Sequence, residues 1–143
     1  MNLSTGVLGS RKTVREVMTT ELLTLNLDDT LRLADDIMNL AKVCHFPVLD
    51  RGKLVGVLDQ ADLLHASMRS LVQHPSDSPR RVLGTVAVSD IMKPATTICC
   101  DASLEEAAWL MVNKQTDCLL VVEGDKLVGV ATRTDLLREM GGK

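Results

Sequence analysis

The chain has 143 residues, a formal net charge of −3 and a 45% hydrophobic composition in which only 1% of residues are aromatic. This length fits one ordinary domain with an aliphatic core, and the acidic balance and lack of stacking rings make a nucleic-acid surface unlikely on chemical grounds. No apolar run approaches the roughly 18 residues of a membrane-spanning helix, so no membrane association is expected.

The first half of the chain predicts helices around one β-hairpin. The start signal Asp28-Asp29-Thr30 precedes apolar residues at helical spacing. Asp50-Arg51-Gly52 is typical of a tight turn between two short strands. In chain order the predicted elements are a flexible tail (1–12), a helical turn (14–18), an extended piece (22–25), a helix carrying Leu31, Ala34, Met38 and Ala41, a hairpin (46–49 and 53–58), and a helix with Leu64, Met68 and Leu71 on one face.

The second half predicts the same order of elements. Two prolines and two serines between Gln73 and Pro79 indicate a linker, and the segment from Arg80 to Ala87 is expected to continue as an extended chain. Ser103 and Glu106 form a capping-box pattern at the start of the next helix. The remaining predicted elements are that helix to about residue 114, a hairpin (118–122 and 126–131), and a last helix (132–140) stopped by Gly141-Gly142.

The chain repeats itself. Lys53-Leu54-Val55-Gly56-Val57 returns unchanged as Lys126-Leu127-Val128-Gly129-Val130, 73 residues later. Asp62-Leu63-Leu64 likewise returns as Asp135-Leu136-Leu137, whereas Val14 to Met18 matches Val88 to Met92 at an offset of 74. A fixed period of this kind indicates two copies of one supersecondary unit, which we expect to pack about a pseudo-twofold axis.

The paired hairpins, each with a Lys-Leu-Val-Gly-Val strand followed by Asp-Leu-Leu, resemble the cystathionine-β-synthase (CBS) domain family, and two tandem copies resemble a Bateman module. The resemblance implies an α/β fold of two pseudo-twofold-related βαββα repeats, each a small sheet flanked by helices. It places the first repeat at 13–72, the linker at 73–85 and the second repeat at 86–143. It covers nearly everything from Thr13 to Met140 and leaves no separate effector domain.

A ligand site is predicted where the second repeat's last strand meets its last helix. The first turn of a helix offers unpaired N–H groups, Thr132 a hydroxyl, and Asp135 a carboxylate that can accept two hydrogen bonds. In the CBS family, which this stretch resembles, such a Thr/Ser-x-x-Asp pattern binds the ribose of adenosine nucleotides, and Arg133 lies where it could reach a phosphate. The same spacing also describes a simple capping box, and the two interpretations are compatible.

The first repeat departs from this pattern. Asp59 stands where the second repeat has Thr132, Gln60 replaces Arg133, and Asp62 keeps the ribose position. A carboxylate beside a bound phosphate is repulsive, so this site is expected to bind more weakly. The resemblance further implies base pockets before the first helix and at the start of the first hairpin strand, although such apolar residues are more often simple core. These positions are Ile98, Cys99, Leu119 and Leu120 in the second repeat, and Leu23, Leu25, Phe46 and Pro47 in the first.

The four cysteines, Cys44, Cys99, Cys100 and Cys118, lack the ligand spacing of a structural zinc site. Cys44-His45 matches Asp117-Cys118 between the repeats, so a metal or redox site is conceivable, but buried thiols that act as small apolar groups are the ordinary alternative. With no signal peptide, the sequence predicts free thiols in a reduced, cytoplasmic protein.

Together these patterns favour a regulatory sensor and disfavour an enzyme, since no GxSxG, HExxH or Walker motif is present. The resemblance implies that AMP, ADP, ATP or S-adenosylmethionine binds in the inter-repeat cleft of a homodimer and thereby modulates a partner protein that the sequence does not identify. No cofactor is required. A ligand-free dimerisation scaffold, and a nucleic-acid- or metal-associated stress protein, are the alternatives.

Overall fold

The computed structural model describes residues 12–141 and separates them into two compact units. The first-repeat unit is Leu23–Ala95, and the second-repeat unit combines residues 12–22 with residues 96–141. Apart from Lys12, the predicted N-terminal tail lies outside the described residues, as do the last two residues of the chain.

Each unit is a three-stranded sheet with helices, so the predicted α/β class is confirmed. The first-repeat unit contains β1 (Leu25–Asn26), α2 (Leu31–Ala41), β2 (His45–Asp50), β3 (Lys53–Asp59), α3 (Gln60–Gln73) and α4 (Pro79–Leu83), then a 3₁₀ turn (Val88–Asp90). The second-repeat unit contains α1 (Val14–Val17), β4 (Thr97–Cys99), α5 (Leu104–Lys114), β5 (Cys118–Glu123), β6 (Lys126–Thr132) and α6 (Arg133–Gly141).

Both sheets have the same topology. In the first, the order is β1-β2-β3, with β1 parallel to β2 and β2 antiparallel to β3; the second repeats this order with β4, β5 and β6. A parallel pair needs a crossover between its strands, and α2 and α5 supply it. Leu31, Ala34 and Met38 on α2, and Leu104, Ala107 and Met111 on α5, are buried, as their helical spacing predicts.

The two sequence repeats exchange their entry segments. Helix α1 opens the first repeat in sequence but belongs to the second-repeat unit, where Val14 is fully buried. The matching Val88 opens the second repeat in sequence but is fully buried in the first-repeat unit. Backbone pairing fixes both segments, because Thr19 pairs with Val130 on β6 and Lys93 pairs with Val57 on β3.

This exchange explains the glycine inside each Lys-Leu-Val-Gly-Val strand. A Cβ on Gly56 would lie 2.8 Å from the carbonyl oxygen of Lys93, and a Cβ on Gly129 would lie 3.0 Å from that of Thr19. Both distances are shorter than ordinary van der Waals contact, so a side chain here would push the paired entry segment away from the sheet. Glycine is therefore required by the close approach of a second backbone.

One sequence expectation is wrong. The segment after Ser78 is a helix, α4, where an extended chain was expected from Arg80 onward. Ser78 accepts the N–H of Arg81 at 3.2 Å, and Pro79 stands at the first helical position, so residues that resemble linker punctuation form a helix start. Arg80 then forms an ion pair with Asp36 at 2.7 Å, within the first-repeat unit.

Candidate functional site

The second-repeat site lies at the junction of β6 and α6. The hydroxyl Oγ1 of Thr132 accepts the N–H of Asp135 at 3.3 Å, and Oδ2 of Asp135 accepts the N–H of Thr132 at 2.9 Å. These reciprocal bonds are a capping box, so both side chains that could meet a ribose at present satisfy the start of the helix.

The other carboxylate oxygen of Asp135 has a weak partner. Nη1 of Arg138 lies 3.4 Å from Oδ1, and the side chain of Arg138 is 71% exposed. An exposed ion pair of this kind contributes about 0–1 kcal/mol, so an incoming hydroxyl donor could replace it at small cost. The carboxylate itself is held in place, since Asp135 is buried.

Arg133 is bonded to the residue before β5 and borders a cavity. Its backbone N–H donates to the carbonyl of Asp117 at 2.9 Å, and the residue is among those that line a cavity of about 580 Å³ between α5 and α6. Apolar side chains form most of that lining, including Met111, Val112, Leu136, Leu137 and Met140. Among the described residues, Arg133 is thus the one member of the predicted phosphate–ribose set that lines this cavity.

The predicted base-pocket residues are mainly core. Ile98 and Leu119 pack in the hydrophobic core of the second-repeat unit, and Leu25 and Phe46 in that of the first-repeat unit. Leu120 and Pro47 occupy matching strand positions and are fully buried, whereas Cys99 is exposed and Leu23 is 42% exposed. A role in the hydrophobic core is therefore enough to explain why these residues are apolar, except for Cys99 and Leu23.

The first-repeat site has the same capping geometry with different charges. Oδ1 of Asp59 accepts the N–H of Asp62, and Oδ2 of Asp62 accepts the N–H of Asp59, each at 2.9 Å. The ammonium group of Lys93 lies 2.6 Å from Oδ2 of Asp59 and 3.5 Å from Oδ1 of Asp62. Two carboxylates therefore share one cation here, where the second-repeat unit has a neutral threonine and one carboxylate.

This charge cluster moves the pKa values of the two acids in opposite directions. Burial acts to raise the pKa of Asp59, but the hydrogen bond from Lys93, the hydrogen bond from the Asp62 N–H and the charge of Lys93 together outweigh it and lower that pKa overall. Burial raises the pKa of Asp62, and the neighbouring charge of Asp59 adds to the rise. The pKa of Lys93 is raised, because its two acidic neighbours outweigh the opposing effect of burial.

Sequence reasoning missed Lys93, although a signal was present. At the offset of 74 that relates the entry segments, Lys93 matches Thr19, just as Asp59 matches Thr132 at the offset of 73. The second-repeat unit thus has Thr132 and Thr19 where the first-repeat unit has an acidic residue, Asp59, and a basic residue, Lys93. Such a double replacement indicates a compensating contact, and the structure brings the pair together.

A second polar cluster lies at the end of β4. Nη2 of Arg15 is 2.7 Å from Sγ of Cys100, 3.0 Å from Oε2 of Glu123 and 3.6 Å from Oδ1 of Asp101. Cys99, Cys100 and Asp101 place their ligand-type atoms within 4.8 Å of one another. Burial raises the pKa of the Cys100 thiol, which favours the neutral thiol over the thiolate that metals prefer. None of the four cysteines, all of which are described residues, forms a disulfide bond.

Comparison with known proteins identifies the class. The family model described as CBS domain matches residues 14–69 and 80–142, so the chain belongs to the CBS domain family and carries two repeats. A CBS domain-containing protein of Dictyostelium discoideum is 33% identical over 127 residues, which cover 87% of this chain and 88% of that protein.

Solved structures agree with this assignment. CBSX2 in complex with AMP has a TM-score of 0.71 and 30% identity, covering 88% of this chain and 93% of that one. A putative acetoin utilization protein (AcuB) from Vibrio cholerae has the same TM-score and identity, covering 88% and 87%. CBS pairs are typically regulatory, ligand-binding modules.

Some similar proteins are enzymes, but this chain matches only part of them. A zinc metalloprotease of Methanocaldococcus jannaschii and an A-adding tRNA nucleotidyltransferase of Geobacter sulfurreducens are covered over 31% and 13% of their lengths. CBS domains thus occur as parts of larger enzymes. Within residues 12–141, no helix combines the length and apolar character needed to cross a bilayer.

Proposed function

We propose that this protein is a regulatory sensor that binds an adenosine-containing ligand at Thr132 and Asp135 and modulates a partner protein. AMP, ADP, ATP and S-adenosylmethionine are the candidate ligands. The observation that carries the proposal is the buried carboxylate of Asp135, whose partners are its own helix start and one exposed arginine. Both partners can be exchanged for hydroxyl donors.

The chemistry of this exchange is favourable. A ribose presents two adjacent hydroxyl groups, and a carboxylate can accept a hydrogen bond from each through its two oxygens. Hydrogen bonds to a charged group contribute roughly 1.5–3 kcal/mol, which exceeds the value of the exposed contact with Arg138. Thr132 is neutral, so a nearby phosphate meets no repulsion, and Arg133 adds a cation at the next position.

The family supports the same ligand class. CBSX2, which is 30% identical to this chain over most of both proteins, has been crystallised in complex with AMP. CBS pairs are typically regulatory, ligand-binding modules, so we infer a sensor and not an enzyme. Such a sensor works when its ligand binds two conformational states with different affinity, and one of those states contacts the partner.

We also propose that the protein is a homodimer. Leu64, Met68 and Leu71 form an apolar stripe on α3, and each side chain is more than half exposed. Leu137 and Met140 on α6 are also exposed and border the 580 Å³ cavity. A second copy would cover these faces in an isologous contact, since the same patch occurs on both partners.

The exposed apolar faces also favour a second candidate, a scaffold that dimerises without a ligand. A thermal-shift panel separates the two functions. We expect AMP, ADP, ATP or S-adenosylmethionine to raise the melting temperature, because a ligand at 100 times its Kd stabilises the folded state by about 2.7 kcal/mol. Guanosine nucleotides and the Asp135→Ala variant serve as controls. No shift with any adenosine ligand, in a protein that sediments as a dimer, would favour the scaffold.

A further inference from the structure

We propose that Lys93 closes the first-repeat site to adenosine ligands by occupying both of its carboxylates as an internal counter-ion. The inference rests on the proposed function, because it takes Asp62 and Asp135 as equivalent ribose positions. It assigns Lys93, a residue outside the sequence motif, as the determinant that makes the two sites unequal.

Lys93 is held by its backbone and contacts the two acids through a side chain that is 48% exposed. Its backbone N–H donates to the carbonyl of Val57 and its carbonyl accepts the N–H of Val57, both at 2.9 Å. Its ammonium group then contacts Asp59 at 2.6 Å and Asp62 at 3.5 Å. The carboxylates are poorly accessible to solvent, with side-chain exposures of 18% for Asp59 and 12% for Asp62, so the pair is only partly screened.

The second-repeat unit shows the open version of the same arrangement. Thr19 pairs with Val130 at 2.8 and 3.0 Å, as Lys93 does with Val57, but Thr19 is exposed and brings no charge. The cation near Asp135 is Arg138, at 3.4 Å on an exposed side chain. A ligand therefore displaces a loose surface contact in one unit and a doubly anchored ammonium group in the other.

The geometry predicts that replacing Lys93 alone, or Asp59 alone, restores little ligand binding at the first-repeat site. Lys93→Thr removes the ammonium but leaves Asp59 and Asp62 side by side, which repel each other and any phosphate. Asp59→Thr leaves Lys93 beside Asp62, where the ammonium competes with the ribose hydroxyls. The double variant Asp59→Thr/Lys93→Thr recreates the Thr132 and Thr19 positions of the second-repeat unit, so the two changes should be strongly non-additive.

The test is a gain of binding, measured by calorimetric titration with AMP in an Asp135→Ala background that silences the second-repeat site. We expect Asp59→Thr/Lys93→Thr to bind AMP at least tenfold more tightly than its Asp135→Ala parent, and each single change to gain less than threefold. Circular dichroism verifies folding. Asp59→Asn/Lys93→Gln is a second, near-isosteric double variant, because asparagine also caps helices well.

The outcomes separate the inference from the proposed function. If the wild-type protein binds AMP and the Asp135→Ala variant does not, the proposed function is supported. If both double variants in the Asp135→Ala background then also fail to bind AMP, the role of Lys93 is overturned. A full gain from Lys93→Thr alone or Asp59→Thr alone would overturn the shared-cation argument. Wild-type protein that binds no adenosine ligand, with double variants equally silent, would overturn the proposed function and this inference with it.

Discussion

Replacing the repeated glycines with alanine tests the exchange of entry segments. In Gly56→Ala the new Cβ would lie 2.8 Å from the carbonyl oxygen of Lys93 and 2.8 Å from Sδ of Met92. The carbonyl belongs to a paired backbone and can move only with its segment. Overpacking of this kind costs about 1–3 kcal/mol, and we expect Gly56→Ala at the upper end, about 2–3 kcal/mol.

Gly129→Ala should cost less, about 1–2 kcal/mol, because its shortest contacts are with the flexible side chain of Met18 and the Thr19 carbonyl lies 3.0 Å away. At about 3 °C per kcal/mol for a chain of this size, Gly56→Ala should lower the melting temperature by roughly 6–9 °C. Gly141→Ala, whose Cβ meets nothing within 4 Å, is the matched control and should change stability by less than about 0.5 kcal/mol. An unchanged melting temperature for Gly56→Ala would refute the described pairing of Lys93 with β3.

Three further predictions concern charge, assembly and thiols. The pKa of Asp62 in the folded protein is raised above its ordinary value of 3.8. The protonated carboxyl therefore stabilises the fold below pH 3.8, and this stabilisation is lost as pH rises through the folded-state pKa. Asp62→Asn should raise the melting temperature at pH 7, with a smaller gain near pH 4. A lower melting temperature at pH 7 would contradict this. Leu64→Glu on the exposed α3 stripe should shift the protein from dimer to monomer in sedimentation velocity at micromolar concentration, with Lys42→Glu as a control, and a wild-type monomer would exclude the proposed dimer. A chromogenic thiol count under denaturing, non-reducing conditions should find four free thiols, and a count of two or fewer would contradict the free cysteines.

The sequence was sufficient to predict the class of fold. Internal repetition located both hairpins, and the apolar spacing of Leu31, Ala34 and Met38 located a buried helix face. These signals are local, because strand alternation and helical periodicity depend on neighbours within one element. The same local signals misled at Ser78-Pro79, where residues common in linkers begin α4, since serine and proline favour both turns and helix starts.

The site was less accessible to sequence reasoning than the fold. The sequence motif predicts that Asp59 repels a bound phosphate, but it does not show which cation lies beside Asp59. Its partner Lys93 lies 34 residues away and reaches it only because the entry segment pairs with β3. The weak contact of Arg138 also depends on side-chain direction, which motif spacing does not specify.

The measurement that tests the central claim most directly is calorimetric titration of Asp135→Ala and Asp62→Ala with AMP and ATP. Asp62 and Asp135 occupy the same position of a capping box, each accepting the N–H of the residue three positions earlier, so the two substitutions are matched in position. The account predicts that Asp135→Ala abolishes the tight binding phase and that Asp62→Ala leaves it nearly intact. Equal losses, or a larger loss from Asp62→Ala, would contradict the assignment of the second-repeat site as the ligand sensor.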